Sequence, residues 1–560
     1  MTFTRTVPSR FRAVLLSPVR RCTPIAVAVA VALGVSMAPV ALAQDDSSTA
    51  QQIQALRTQV NQLQHQLDEL QAKQAAASNV SASQPVANQP AAPRAIEVVD
   101  RTQAAASDAG GSAPPAGPGI QAGPLTITFG GFTELAIIDR NHSELADVGS
   151  VAFSGLPYPD VEQYNVSEFR ESARQSRFSM LTQAEPWNGV RTEAYLETDF
   201  LGAAPTANSR ESNSYNLRVR NFYARATFDS GFYVLAGQSW SLATLYKQGL
   251  DPRNEDVPLT IDAQYVAGFN WTRNPQLRFV QKFSNAFSLG LSIESPQAVP
   301  NASTTAPAAT AFPANTYYQP TPSASGLLDS TTGYSIDPAP DVILKAAVDP
   351  GYGHYELYTL GRWFRSAVGT STDTVFGGSI GAGAELPIVP DVLSFQFSGL
   401  AGKGIGRYGS AQLSDVTLEP NGTFSPLKGY SALFGLFYKP VPSLQIYTYA
   451  GRERVSADYF DETVTTGSTS TTYGYGYGNP LYNNSGCYIL GSTKCVANAQ
   501  NVEEVTGGFW WKYYKGELGN LQLGLQVAYN QVDAFPGVGG TPSTNVFETM
   551  VSFRYYPFQN

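Results

Sequence analysis

From Leu125 onward, apolar and polar residues alternate with a period of two, the pattern of strands that present one face to each of two environments. Between Val190 and Phe200, one face carries Arg191, Glu193, Tyr195, Glu197 and Asp199, and the other carries Val190, Thr192, Ala194, Leu196, Thr198 and Phe200. The same alternation runs through Phe287 to Glu294 and Leu393 to Ser398. Short breaks fall at Glu185–Gly189, Asp229–Gly231, Ser284–Ala286, Pro350–Gly353, Leu386–Val392, Lys439–Pro442 and Gly516–Asn520. Longer polar segments lie between them, near 139–171, 201–214, 241–272, 295–340, 367–374, 405–428, 454–502 and 532–544. Seven short turns alternating with eight long loops require about 16 strands, with both ends of the strand run on the short-turn side. A soluble sandwich also alternates, but it rarely devotes polar faces so dense in small and charged residues to a run of this length. The pattern predicts an all-β fold, a transmembrane antiparallel β-barrel over 125–560. Trp187, Trp240, Trp363, Trp510, Trp511, Tyr555 and Tyr556 near strand ends suit its two interfacial girdles.

The chain before the barrel reads differently. Ile25 to Val40 is an apolar run that follows Arg5, Arg10, Arg12, Arg20 and Arg21 and ends in Ala41-Leu42-Ala43. A basic segment, an apolar segment and an A-x-A site describe a secretory signal over 1–43, with Gln44 as the first mature residue. Ile53, Leu56, Val60, Leu63, Leu67 and Leu70 then repeat at heptad spacing. This seam predicts a short α-helical coiled coil over 44–73. Val or Ile at two of the three a positions with Leu at every d leans towards a dimer. Residues 74–124 are an Ala/Pro/Gly-rich linker.

Composition agrees with export to a membrane. Charged residues are 14% of the 560, well below a soluble domain, yet only the signal approaches a helical membrane span. Losing residues 1–43 removes five Arg and no acid, leaving 31 basic against 45 acidic residues and a net charge of −14. So acidic a product is a poor nucleic-acid binder. Cys487 and Cys495 form an even pair in an exported chain with no His or third Cys nearby, which favours a local disulfide over a metal site. His65, His142 and His354 are the only histidines and none neighbours a nucleophile, so neither an enzyme nor a metal or cofactor site is expected.

A barrel of about 16 strands is too wide for its own side chains to fill, so without a plug domain it encloses water. The informative lumen charges are basic. Leu217-Arg218-Val219-Arg220 places Arg218 and Arg220 on one face, Arg278 and Lys282 share the lumen parity of their strand, and Arg177, Arg191, Lys345 and Arg362 enter neighbouring walls. An Arg ladder favours small anions through bidentate carboxylate or phosphate contacts. The alternative is that these are wall charges, balanced by Glu193, Glu197, Asp199, Glu356 and Glu548. The loop from Ser241 to Trp271 is the candidate constriction, contributing Lys247, Asp251, Arg253, Glu255 and Asp256; its alternative is an exposed surface loop.

Several segments carry a resemblance. They are Leu217-Arg218-Val219-Arg220 with Tyr223, Gly237-Gln238-Ser239-Trp240-Ser241 and Pro258-Leu259-Thr260-Ile261-Asp262. They continue with Pro275-Gln276-Leu277-Arg278-Phe279 and Gly404-Ile405-Gly406-Arg407-Tyr408. In this order, behind a signal, coiled coil and linker, they resemble the DcaP-like trimeric porins of Gram-negative outer membranes. The resemblance is best over roughly 125–410. It implies a homotrimer in outer-membrane lipid, coiled coils in the periplasm, and uptake of small anionic solutes such as dicarboxylates past Arg218, Arg220 and Arg278. The dimer-leaning heptads, the acidic net charge, the long loops at 295–340 and 454–502 and the end in Phe558-Gln559-Asn560 depart from that pattern. Other readings are a porin for phosphate or sugars, and a structural or adhesive barrel whose coiled coil meets the cell wall.

Overall fold

In a bilayer no water is available to the backbone, so a strand that crosses it must pair on both sides. The computed structural model meets this by closing a sheet on itself. It describes residues 119–559 except 145, 147–152, 203–215, 263–264 and 319–334. The expected signal, coiled coil and most of the linker therefore lie outside the described residues. Sixteen antiparallel strands form the wall among the described residues. They begin with β1 (Leu125–Arg140), β2 (in two pieces, Glu168–Ser172 and Arg177–Trp187), β3 (Val190–Gly202), β4 (Asn216–Phe228) and β5 (Phe232–Trp240). Next come β6 (Arg273–Ser284), β7 (Phe287–Glu294), β8 (Asp341–Val348), β9 (His354–Val368), β10 (Ser371–Val389) and β11 (Leu393–Lys403). The last are β12 (Lys428–Val441), β13 (Leu444–Val455), β14 (Ala499–Gly516), β15 (Gly519–Ala534) and β16 (Ser543–Tyr556).

Each strand pairs with its sequence neighbour, and β1 closes the ring on β16 from Thr133↔Tyr555 to Arg140↔Glu548. The start of β1 lies beyond the reach of β16 and is covered instead by Ile120–Ala122, which folds back on Leu125–Ile127. Ordered pairing thus begins just before the expected boundary at 125. The seven short turns fall at one end, as the alternation requires.

At the other end one expectation fails. Residues 367–374 form no long loop: Val368 pairs with Ser371 around Gly369-Thr370. Gly369 has φ +59°, the left-handed geometry that a two-residue hairpin demands at its first position. The polar run there is the tip of two long strands, not a connection. The 454–502 segment likewise contains a hairpin, Asp458–Thr466 paired with Thr469–Tyr477, and the Cys487–Cys495 disulfide.

Period two sorts the wall. Outward positions such as Leu135, Leu344, Leu357, Phe376, Phe434, Val505 and Phe553 are exposed and apolar, as lipid requires. Trp187, Trp511 and Tyr555 are exposed near the short-turn rim, and Trp363 lies against Phe376 with ring centroids 5.4 Å apart. Trp240, Trp510 and Tyr556 are not girdle residues. All three are buried on the inner side, where an indole N–H can reach a carbonyl: Trp510 Nε1 donates to Leu259 O at 2.7 Å.

The lipid-facing assignment predicts a cost for charge. Phe434, midway along β12, replaced by Arg should destabilise the barrel by about 2–4 kcal/mol in urea titrations in vesicles. An effect near zero would mean that this face does not meet lipid.

Candidate functional site

The interior is where the chain departs most from a bare cylinder. The 241–272 loop leaves β5, enters the barrel and returns to β6, its two ends joined by Ser241 N–H donating to Thr272 O at 2.8 Å. On the way it bonds to the wall on every side. Lys345 of β8 donates to Thr244 O (2.8 Å), Tyr246 N–H to Glu356 of β9 (3.0 Å), and Gln396 of β11 to Asp256 O (2.9 Å). Leu259 N–H donates to the Tyr449 hydroxyl of β13 (2.8 Å), Ala267 N–H to Glu504 of β14 (2.9 Å) and Ile261 N–H to Gln526 of β15 (2.5 Å). Its apolar residues Leu242, Tyr246, Leu250, Val257, Ile261, Val266 and Phe269 pack on inward Tyr195, Tyr233, Tyr358, Tyr447, Tyr449 and Trp510. An irregular backbone at membrane depth is tolerable only when its polar groups are met in this way.

The basic wall residues are largely enclosed. Arg218 grips Asp199 bidentately, Nε to Oδ1 at 2.9 Å and Nη2 to Oδ2 at 2.7 Å. Arg220 bonds Glu197 through Nε and Asp199 through Nη1, and Arg177 lies 3.7 Å from Glu197. Arg278 donates to Gln276 (3.0 Å), the Tyr246 hydroxyl (2.5 Å) and Trp240 O. Arg362 bonds Asp341 (3.2 Å) and Asp415 (2.7 Å) and also Gly404 O (2.6 Å) and Gln297 O, tying two outer loops into the mouth. Side chains of Arg220 and Arg278 are 0% exposed and that of Arg362 is 1%, so in this conformation all three are closed off from solvent. The reason is desolvation: a guanidinium enclosed by a loop must be paired, and a carboxylate or carbonyl on the neighbouring element does so. Arg191 and Lys282 are exposed at the short-turn mouth.

One arginine that strict alternation hides joins the accessible set. Glu197 pairs with Asn221 but Thr198 pairs with Val219, so Arg220 is the extra residue of a β-bulge. Beyond the bulge the parity of β4 inverts. Tyr223 and Arg225 face inward and Phe222 faces out, although counting from Arg218 would place them the other way. Two successive polar residues, Arg220-Asn221, are the local sign of the interruption.

Arg225 meets the inner loop. Its Nη2 donates to Glu193 Oε2 at 3.0 Å and its Nη1 to Asp251 Oδ1 at 2.7 Å. Arg253 reaches the same Glu193, Nη1 to Oε1 at 2.7 Å, and also the Tyr223 hydroxyl at 2.8 Å. Its guanidinium lies 5.3 Å from the Tyr195 ring centroid. Arg253 adopts φ +68°, a left-handed conformation that costs a residue with a side chain about 1 kcal/mol or more. Arg225 and Arg253 keep 13% and 12% exposure, Arg218 24%, and Asp251 56%. Lys247 is half-buried, whereas Glu255 and Asp256 are buried.

The closed barrel has solved counterparts. The outer membrane channel DcaP of Acinetobacter baumannii superposes with a TM-score of 0.52 at 15% identity, over 79% of this chain and 100% of that one. This chain has the fold of an outer-membrane channel. The anion-selective porin from Comamonas acidovorans is more distant, with a TM-score of 0.41 at 10% identity over 77% and 99% of the two chains. No protein-family model and no curated sequence matches.

Two outcomes follow from the interior. Replacing Arg220 by Met leaves buried Glu197 and Asp199 short of a partner and should cost about 3–5 kcal/mol in unfolding titrations. Arg218→Met, at a site open to water, should cost clearly less. The second concerns pH. Burial pushes the Glu255 carboxyl up to about 7 and raises Asp256 as well. A carboxyl raised in the seated loop binds more protons there than in water, so seating is strongest below the ordinary carboxylate range. It weakens as pH rises through about 7, for Glu255 by at most about 3 kcal/mol. Protease cleavage within 241–272 should be faster at pH 8.5 than at pH 5, and Glu255→Gln should flatten that difference.

Proposed function

We propose that the chain is an outer-membrane porin, a passive channel for small hydrophilic solutes with a preference for those bearing a carboxylate. The observation that carries this reading is the sidedness of the closed wall. Its outside is apolar, while its inside holds Arg218, Glu193, Arg225, Gln522, Gln526, Asn530 and Glu548. Buried Gln522 and Asn530 retain polar atoms without protein partners, which ordered water inside the barrel would satisfy. The preference for carboxylates rests on the guanidiniums that keep contact with solvent, Arg218, Arg225 and Arg253, with Arg191 and Lys282 at the short-turn mouth. Arg177, Arg220, Arg278 and Arg362 hold wall and loops together. The net negative charge of the mature chain opposes anions at long range, but local guanidiniums act within a Debye length of about 8 Å.

In this reading three copies assemble in outer-membrane lipid, and residues 44–73 form coiled coils in the periplasm that hold subunits together or reach the cell wall. A second reading draws on the inner loop. A lumen so fully crossed, beneath a long outer hairpin at 458–477, also suits a structural or adhesive barrel that does not conduct.

Planar-bilayer recording of the mature protein separates the two. The porin reading expects ohmic openings in steps of three and a reversal potential favouring chloride in a KCl gradient. Cation preference would retain the porin and remove the carboxylate preference, and persistent silence of a folded barrel would select the structural reading.

A further inference from the structure

We infer that Asp251 is a built-in occupant of a carboxylate-binding site, which a solute carboxylate takes over when it displaces the loop side chain. The inference rests on the porin reading and names the contact at which solute would be selected. Arg225 has two donor edges. One faces Glu193, which it shares with Arg253, and the other faces Asp251. Glu193 is enclosed, held by two guanidiniums and fixed on the wall. Asp251 is the opposite in each respect: it belongs to the loop, is more than half exposed and bonds through one oxygen at 2.7 Å.

Charge makes the site. Two guanidiniums face two carboxylates, so departure of Asp251 leaves one positive charge and an open N–H edge, which is a receptor for one carboxylate. Tyr223 and Tyr195 fix Arg253 from behind, and the Tyr233 ring lies 5.2 Å from the Arg225 guanidinium, so the cations stay in place when the partner leaves. The left-handed backbone at Arg253, two residues after Asp251, holds Arg253 on Glu193 while the exposed side chain of Asp251 covers the outer edge of Arg225. A pair whose carboxylate is more than half exposed and held through one oxygen is open to competition from a solute carboxylate.

The test uses the full mature protein and sodium succinate, with the neutral succinamide as control. Asp251→Asn removes the resident charge from an exposed position and keeps its shape; Asp251→Ala repeats the test without a side-chain amide. Both should tighten succinate binding by about fivefold, the most an exposed ion pair is worth, in calorimetry and in block of channel current. Both should also move the KCl-gradient reversal potential towards chloride, and succinamide should not respond. Adding Arg225→Gln to Asp251→Asn should abolish the gain. Conducting channels whose succinate affinity is unchanged in both Asp251 variants would overturn the site and leave the porin reading standing. Tighter succinate binding by a protein that never conducts would support the site and overturn the porin.

Discussion

A strand in hydrocarbon has no water to receive its N–H and C=O groups, so the register that joins β1 to β16 decides whether the chain can exist in a membrane at all. Closure removes the last sheet edge except where β1 runs past β16, and there Ile120–Ala122 covers its first residues, Leu125–Ile127. Everything else is arranged inside that ring. A wall of sixteen strands is wide, its inward positions are polar, and the space they enclose must be filled by water, by loops or by both.

Here loops take a large share, and their entry changes what the inner charges are for. A guanidinium on an open wall is a solvated point of attraction. The same group beneath a loop is a desolvated ion that must be paired to be tolerated. Arg278 and Lys345 anchor the 241–272 loop, and Arg362 gathers the segments around Gln297, Gly404 and Asp415. These residues act as fasteners through hydrogen bonds that cross from wall to loop. The guanidiniums that keep some exposure, Arg218, Arg225 and Arg253, are those at the margin of the loop.

That margin concentrates on β3 and β4. The bulge at Arg220 turns Tyr223 and Arg225 inward, and the loop brings Arg253 and Asp251 to the same place from the other side. A shared Glu193 holds two like charges close together and offsets part of their repulsion. The positive φ of Arg253 is the local strain that the geometry exacts. Wall charge and exposed loop charge thus meet at one point, which neither element provides separately.

Much of this was legible in the residues. Alternation with period two is a local property, so the strand count, the positions of the short turns and the inward parity of Arg218, Arg278 and Arg362 could be read without coordinates. Polarity does not reveal the tight Gly369-Thr370 turn, because it marks exposure to water, and a strand tip above the membrane is as polar as a loop. The inner positions of Trp240 and Trp510 are not legible locally, because an indole at a strand end suits either a lipid interface or an inner loop carbonyl. Arg225 was hidden by one extra residue, since a single bulge inverts every position beyond it. The alternating wall is written locally in the residues, because each strand records its two environments in its own side chains. Which charges bind the loop and which keep contact with solvent emerges only when the chain has folded. Those pairings join residues far apart in the chain, such as Ile261 with Gln526, and no local period encodes them.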